Sequence, residues 1–342
     1  MKKVLFIKLT SLGDLIHALP ALTDAHRARP EIEFDWVIDE NFREVASLHP
    51  AIVRTYPTNH RKWRKNLFRS FGPICRLIKN MRKTDYDLVL DGQGNFKSAL
   101  IALFAKGVRA GFDRESVRET IAQLAYQRKY GASWQIHAID RLRRLFASAL
   151  DYPLPNTLPD FGIRREWFRK PAFELPPSFF VFVHNATWET KLWPEAHWIE
   201  LIRKVNGPVL LPWGNAKEKE RADRLGAATG AIVLPRLSLL EIGYVLSRAK
   251  ACVCLDTGLS HLAAALKIPS VTLYGSTDAG LIGASGDVQI HLQAKRFCAP
   301  CDQKSCRYPS GGLFPPCTAE ITPDAVYKSL FKLVAIGKLS LV

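Results

Sequence analysis

Short apolar runs recur along the chain. Each is closed by a turn rich in small residues and followed by a stretch with helical spacing. The run at 4–9 is continuous and apolar, as expected of a strand buried on both faces of a parallel sheet. Comparable runs lie at 34–39, 86–91 and 108–112, and again at 179–184, 208–214, 231–234, 251–254 and 270–274. Between them, helical patterns cover 15–22, 41–48, 74–83, 97–106, 197–205 and 238–250. A charged helix opens at Lys217, and a last apolar-faced helix covers 323–336. Strands alternating with helices predict an α/β fold with parallel, right-handedly wound sheets.

Two proline-bearing stretches, 151–159 and 170–177, interrupt this alternation. A chain of 342 residues is too long for one typical core. The expectation is therefore two domains, 1–155 and 156–342. In such domains ligands meet the turns at the carboxyl ends of the strands. Two of them facing each other would enclose a cleft.

Charge narrows the partners. Lys and Arg number 48 against 32 Asp and Glu, a net charge of +16. An excess of that size implies an anionic partner: nucleic acid, a nucleotide, or a phosphate-rich membrane surface. No apolar run approaches the roughly 18 residues needed to span a bilayer. The basic start at Lys2-Lys3 is followed by too short an apolar stretch for a signal peptide, so the first strand of a cytoplasmic protein is expected.

Several turns carry candidate chemistry. Asp256-Thr257-Gly258-Leu259-Ser260-His261 follows an apolar strand and opens a helix. Free N–H groups and the helix dipole at such a start suit a phosphate, although a plain capped helix reads the same way. Asp14 stands in a helix start after the first strand, either as a dipole partner or as a general base. Lys191 follows the strand at 179–184, as a surface cation or a phosphate ligand. Glu218 could bond ribose hydroxyls or simply be solvated. The run His60-Arg61-Lys62-Trp63-Arg64-Lys65 is a solvated face or a phosphate platform. Of the seven cysteines, Cys75, Cys252 and Cys254 read as core. Cys298, Cys301, Cys306 and Cys317 have two, four and ten residues between them, a spacing that fits a structural zinc or iron, or a set of reduced thiols.

These blocks, taken together, resemble one family. They are Lys8-Leu9-Thr10-Ser11-Leu12-Gly13-Asp14, Asp91-Gly92-Gln93-Gly94, Lys191-Leu192-Trp193-Pro194, Leu211-Pro212-Trp213-Gly214, Asp256-Thr257-Gly258-Leu259-Ser260-His261 and Tyr274-Gly275-Ser276-Thr277-Asp278. In this order they are similar to the ADP-heptose:lipopolysaccharide heptosyltransferases, glycosyltransferase family 9. The resemblance implies a GT-B fold of two Rossmann-like domains facing across a cleft, with the last helix packing back toward the N-terminal domain. It implies inverting transfer of heptose from ADP-heptose to the Kdo region of lipid A in inner-core synthesis, or to a later acceptor. Asp14 would be the base and Lys191 would hold the diphosphate. Thr187, Glu218, Leu237, Asp256, Thr257, Gly258 and His261 would complete the donor site. Ser11, Gly13, Arg61, Lys62, Arg64, Gln93, Arg118 and Arg141 would meet the acceptor. The resemblance implies no metal in catalysis, a monomer, and peripheral contact with the inner face of the inner membrane. A sugar-nucleotide epimerase and a nucleic-acid binder are the competing expectations. The basic run argues against the first, and only net charge supports the second.

Overall fold

A computed structural model describes residues 2–65, 67–308 and 314–339, with the side chains of 61, 64, 65, 67–69 and 336–339 outside the description. The chain divides into two compact units, Met1–Gly162 and Ile163–Val342.

The strands of the first unit are β1 (Lys3–Ile7), β2 (Glu33–Asp39), β3 (Ile52–Thr58), β4 (Leu88–Asp91), β5 (Val108–Phe112) and β6 (Arg128–Tyr130). They form one parallel sheet in the order β3-β2-β1-β4-β5-β6. Its helices are α1 (Leu12–Ile16), α2 (Leu19–Ala28), α3 (Arg43–Ala46), α4 (His60–Lys65), α5 (Leu67–Met81), α6 (Phe96–Phe104) and α7 (Ala138–Leu150). β1 and β4 are central, and apart from the exposed Lys3 and the buried Asp91 their residues are apolar and buried, as their hydrophobic runs require. The Phe6 ring meets Trp36 at 5.2 Å and Phe146 of α7 at 5.0 Å, which seats that helix on the sheet.

The second unit repeats the plan. Its strands are β7 (Phe180–Val183), β8 (Val209–Leu211), β9 (Ile232–Val233), β10 (Ala251–Leu255), β11 (Ser270–Tyr274) and β12 (Gln289–Gln293). Their order is β12-β11-β10-β7-β8-β9. Its helices are α8 (Glu195–Lys204), α9 (Ala216–Thr229), α10 (Leu239–Arg248), α11 (Gly258–Ala265), α12 (Ala279–Ile282), α13 (Pro316–Ala319) and α14 (Pro323–Leu339). Trp193 and Trp198 cross edge to face at 4.9 Å within this core. The described part of α14 packs on its own unit, against α8, β10 and β11.

Both sheets therefore have the doubly wound order, with the first strand of each unit next to its fourth. The direction of winding reverses between them, and the carboxyl ends there form the ligand position of such folds. Among the described residues no helix is long and apolar enough to cross a membrane.

The structure differs from the sequence expectations in four places. The unit boundary falls after Gly162 rather than after residue 155. Arg143 of α7 donates to Thr157 O (2.9 Å) and Pro155 O (3.3 Å), and Gly162, at φ +64°, lies against His49 and Thr23. These bonds hold the 155–162 segment on the first unit. The helix expected at 15–22 is two helices, with Pro20 near the start of the second, where its missing N–H costs little. The stretch 41–48 forms a 3-10 turn followed by the short α3. Cys75, expected in the core, is exposed on α5.

Candidate active site

In the first unit the turn after β1 and the turn after β4 are tied together. Gln93 Oε1 accepts from Leu9 N (3.0 Å) and Thr10 N (3.3 Å). Asp91, wholly buried at the end of β4, holds its own turn by accepting from Gln93 N (2.8 Å), Gly94 N (3.0 Å) and Tyr126 Oη (2.6 Å). Burial pushes the Asp91 carboxyl up despite these bonds. Gly111 makes the Tyr126 bond possible, because a Cβ there would stand 2.4 Å from the Tyr126 ring.

Asp14 sits in the first turn of α1. Its Oδ2 accepts from the Ser11 N–H (2.7 Å) and hydroxyl (2.8 Å), so carboxylate and cap hold each other. The side chain is half-buried and Ser11 is exposed, which leaves the carboxylate within reach of a ligand. Gly13 is buried beneath it. Lys8, which the sequence reading did not single out, is buried here and donates to Gly92 O (3.1 Å). Burial lowers the Lys8 pKa; the Asp14 and Asp91 charges oppose that shift, and Arg118 and Arg141 add to it. Lys8, Asp14, Asp91, Arg118 and Arg141 therefore share one electrostatic neighbourhood.

The acceptor candidates divide. Arg118 is exposed beside this neighbourhood. Arg141 is mostly engaged within the protein: it donates to Ser116 O (2.5 Å) and Ala132 O (3.3 Å) and lies 3.4 Å from the Trp134 ring centroid. Burial lowers its pKa to about 10. Lys62 lines a cavity of about 830 Å³ between β3 and the α4–α5 pair, together with Arg54, Tyr56, Trp63, Arg76 and Lys83. The side chains of Arg61 and Arg64 lie outside the described residues.

The second unit has the same construction. The turn after β7 and the turn after β10 meet through Lys191 Nζ and Asp256 Oδ2, 2.6 Å apart. Thr277 Oγ1 donates to the same oxygen at 2.6 Å, and His261 Nε2 stands 3.6 Å from the other. Burial works against charge on Asp256, but His261 and Lys191 outweigh it and hold the carboxyl well below the usual range. The Lys191 turn is braced on both sides. Thr190 Oγ1 donates to Gln303 O (2.6 Å), and Thr318 Oγ1 donates to Leu192 O (2.6 Å). The Trp188 ring lies 4.6 Å from Lys191 Nζ and 5.8 Å from Lys304 Nζ.

Thr257 caps α11, and Gly258 is its first residue. The Thr257 hydroxyl is buried with no hydrogen-bond partner among the described residues. An unpaired buried hydroxyl beside free helix N–H groups is the local chemistry of an anion site. Thr187 is exposed nearby on the β7 turn. Glu218 accepts from Gly214 N (2.6 Å) and is half-buried, as is Leu237 before α10. Thr277, quoted in a motif block but given no role, and Lys304 are the neighbours that sequence reasoning did not assign. Thr277 lies 21 positions beyond Asp256 with no motif spacing to link them, and Lys304 stands in an irregular loop.

The cysteines give a different result. Burial raises the Cys317 pKa, and Cys298, Cys301 and Cys306 raise it further, so all four are neighbours. Yet among the described residues no three His, Cys, Asp or Glu side chains are gathered as ligands of one metal, and the thiols are free. The loop braces the Lys191 turn, through Gln303 O to Thr190 and through Cys306 N to Glu189 Oε1 at 3.3 Å.

Two doubly wound sheets, an anion-suited helix start in the second and a capped carboxylate in the first define a GT-B glycosyltransferase. Residues 74–310 match the model of glycosyltransferase family 9 (heptosyltransferase), and the chain belongs to that family. It is 49% identical to lipopolysaccharide heptosyltransferase 1 of Pseudomonas aeruginosa over 90% of this chain and 88% of that one. It is 43% identical to the Escherichia coli protein of the same name, over 86% and 94%. By comparison, E. coli lipopolysaccharide heptosyltransferase 2 is 25% identical over 60% of this chain and 64% of that one. The structure of E. coli heptosyltransferase WaaC with ADP superposes with a TM-score of 0.84 at 38% identity, covering 97% of this chain and 99% of that one.

Proposed function

We propose that the chain transfers heptose from ADP-heptose to a Kdo-bearing lipid A acceptor in inner-core lipopolysaccharide synthesis. The observation that carries this is the paired construction at the two strand crossings, set beside relatives named for the first heptose transfer. Lys191 and the N–H groups opening α11 receive the diphosphate, and the orphan Thr257 hydroxyl bonds one of its oxygens. Thr187 and His261 flank them. Glu218 bonds the ribose, Leu237 borders the adenine, and Asp256 orients Lys191 beside the heptose.

Asp14 takes the proton of the acceptor hydroxyl. The oxygen then attacks the anomeric carbon, the bond to the β-phosphate breaks, and ADP leaves with inversion. Negative charge grows on the departing diphosphate, and Lys191 and the helix amides stabilise it. Ser11, Gly13 and Gln93 shape the acceptor turn. Arg118, Arg141 and the basic residues of α4, Arg61, Lys62 and Arg64, meet acceptor phosphates and carboxylates. The reading carries with it a cytoplasmic monomer working at the inner face of the inner membrane.

The test is direct. Incubation with ADP-heptose and Kdo-lipid A should add the mass of one heptose to the acceptor and release one ADP. Hydrolysis of ADP-heptose without glycosylated product, or product only from a different acceptor, would reject the assignment.

A further inference from the structure

The first unit exposes an apolar face unlike the rest of its surface. On α6, Phe96, Leu100, Leu103 and Phe104 are 53%, 41%, 50% and 40% exposed. Their spacing puts all four on the outer face of one helix. The 3-10 turn at Thr120–Ala125 packs beside α6 and adds Ile121 and Leu124, 56% and 78% exposed. Single exposed leucines are ordinary, but six large apolar side chains on two adjoining elements mark a docking surface.

The rim of this face is cationic. Lys97 is exposed on α6 and lies within electrostatic reach of His60 on the basic helix α4. Arg82 donates to Phe104 O (3.5 Å) at the other end of α6. Arg118 precedes the 3-10 turn and Arg128 follows it, both exposed. Glu119, the acidic neighbour, is tied to Phe96 N at 2.8 Å. The face also continues directly from the candidate site: Asn95, which caps α6, ends the Gly92–Asn95 turn that holds Gln93.

We infer that the α6 face with its 3-10 neighbour docks on the surface of an anionic lipid bilayer. The apolar residues dip into the headgroup boundary, and the cationic rim meets lipid phosphates. Apolar insertion ringed by Lys and Arg is the pattern of interfacial membrane binding, and it complements anionic lipid better than a neutral protein surface. The inference rests on the proposed lipid-linked acceptor, whose acyl chains hold it in the leaflet. Docking through α6 would bring the Gln93 turn to the headgroup level.

The experiment uses the full chain with vesicles of phosphatidylethanolamine and phosphatidylglycerol, and with pure phosphatidylcholine vesicles. Wild type should co-sediment with the anionic vesicles and be released as salt rises. L103E/L124E should lose about tenfold or more in vesicle affinity. It should transfer heptose normally to a de-acylated, water-soluble acceptor and poorly to the same acceptor embedded in vesicles. Equal vesicle binding by wild type and the variant would overturn the inference, as would failure of wild type to bind. A wild-type dimer in solution that the variant dissociates, without vesicle binding, would assign the face to a second copy instead. Vesicle binding as expected, with no transfer to either acceptor, would reject the proposed reaction while leaving the docking surface standing.

Discussion

Gln93 shows how much one side chain can organise. Its carbonyl oxygen satisfies two backbone donors of the β1 turn, one of them on the buried Leu9. Leucine at this position would leave both N–H groups unpaired. Gln93→Leu should cost about 1–3 kcal/mol, read as a lower urea midpoint. Gly111 acts by absence. An alanine Cβ would stand 2.4 Å from the Tyr126 ring and push its hydroxyl off Asp91. Gly111→Ala should destabilise by about 1–3 kcal/mol through overpacking. An unchanged midpoint would mean that the Tyr126–Asp91 bond contributes little. Some candidate residues stand out singly in the sequence: Asp14, Lys191 and Asp256 each follow an apolar strand in a turn or helix start, and a strand-end turn is where such folds keep ligand groups. Lys8 was not readable, because a lysine at the end of a strand looks like a solvated terminus until the β4 turn is seen to cover it.

Among elements, the Lys191 turn depends on a distant loop. The chain at 303 accepts the Thr190 hydroxyl, and Thr318 of α13 holds Leu192 from the other side. Thr190→Val removes one brace and should raise the Kd for ADP roughly two- to tenfold, the worth of one net hydrogen bond, by calorimetric titration. In the same loop the cysteine spacing constrains only sequence distance, whereas ligation needs thiols converging on one point. The sheets divide in a similar way. Most inner strands announced themselves as apolar-rich runs because both faces are covered, as β1, β7 and β10 show. β3, β6 and β12 did not, and all three are edge strands. The residues of β6 are exposed or half-exposed, and those of β12 are half-exposed, so neither carries a hydrophobic signature.

At the scale of the whole molecule, each unit buries a histidine that resists protonation. Burial lowers His49 to about 4 in the first unit and His184 to about 3 in the second. Unfolding frees both to titrate near 6.5, so below that pH the unfolded chain binds more protons and stability falls with pH. The loss should be about 1.4 kcal/mol per histidine per pH unit, or roughly 2 kcal/mol each at pH 5, until the native values are reached. Thermal unfolding between pH 7 and 5 measures it, and a flat profile would contradict the buried, neutral assignment.

The central claim is a division of duties, with proton removal in the first unit and diphosphate binding in the second. Its most direct measurement is Asp14→Asn, assayed for both turnover and ADP affinity. Turnover should fall by about two to four orders of magnitude while the ADP Kd stays within about twofold of wild type. Turnover within tenfold of wild type, or an ADP affinity that falls together with turnover, would contradict the account.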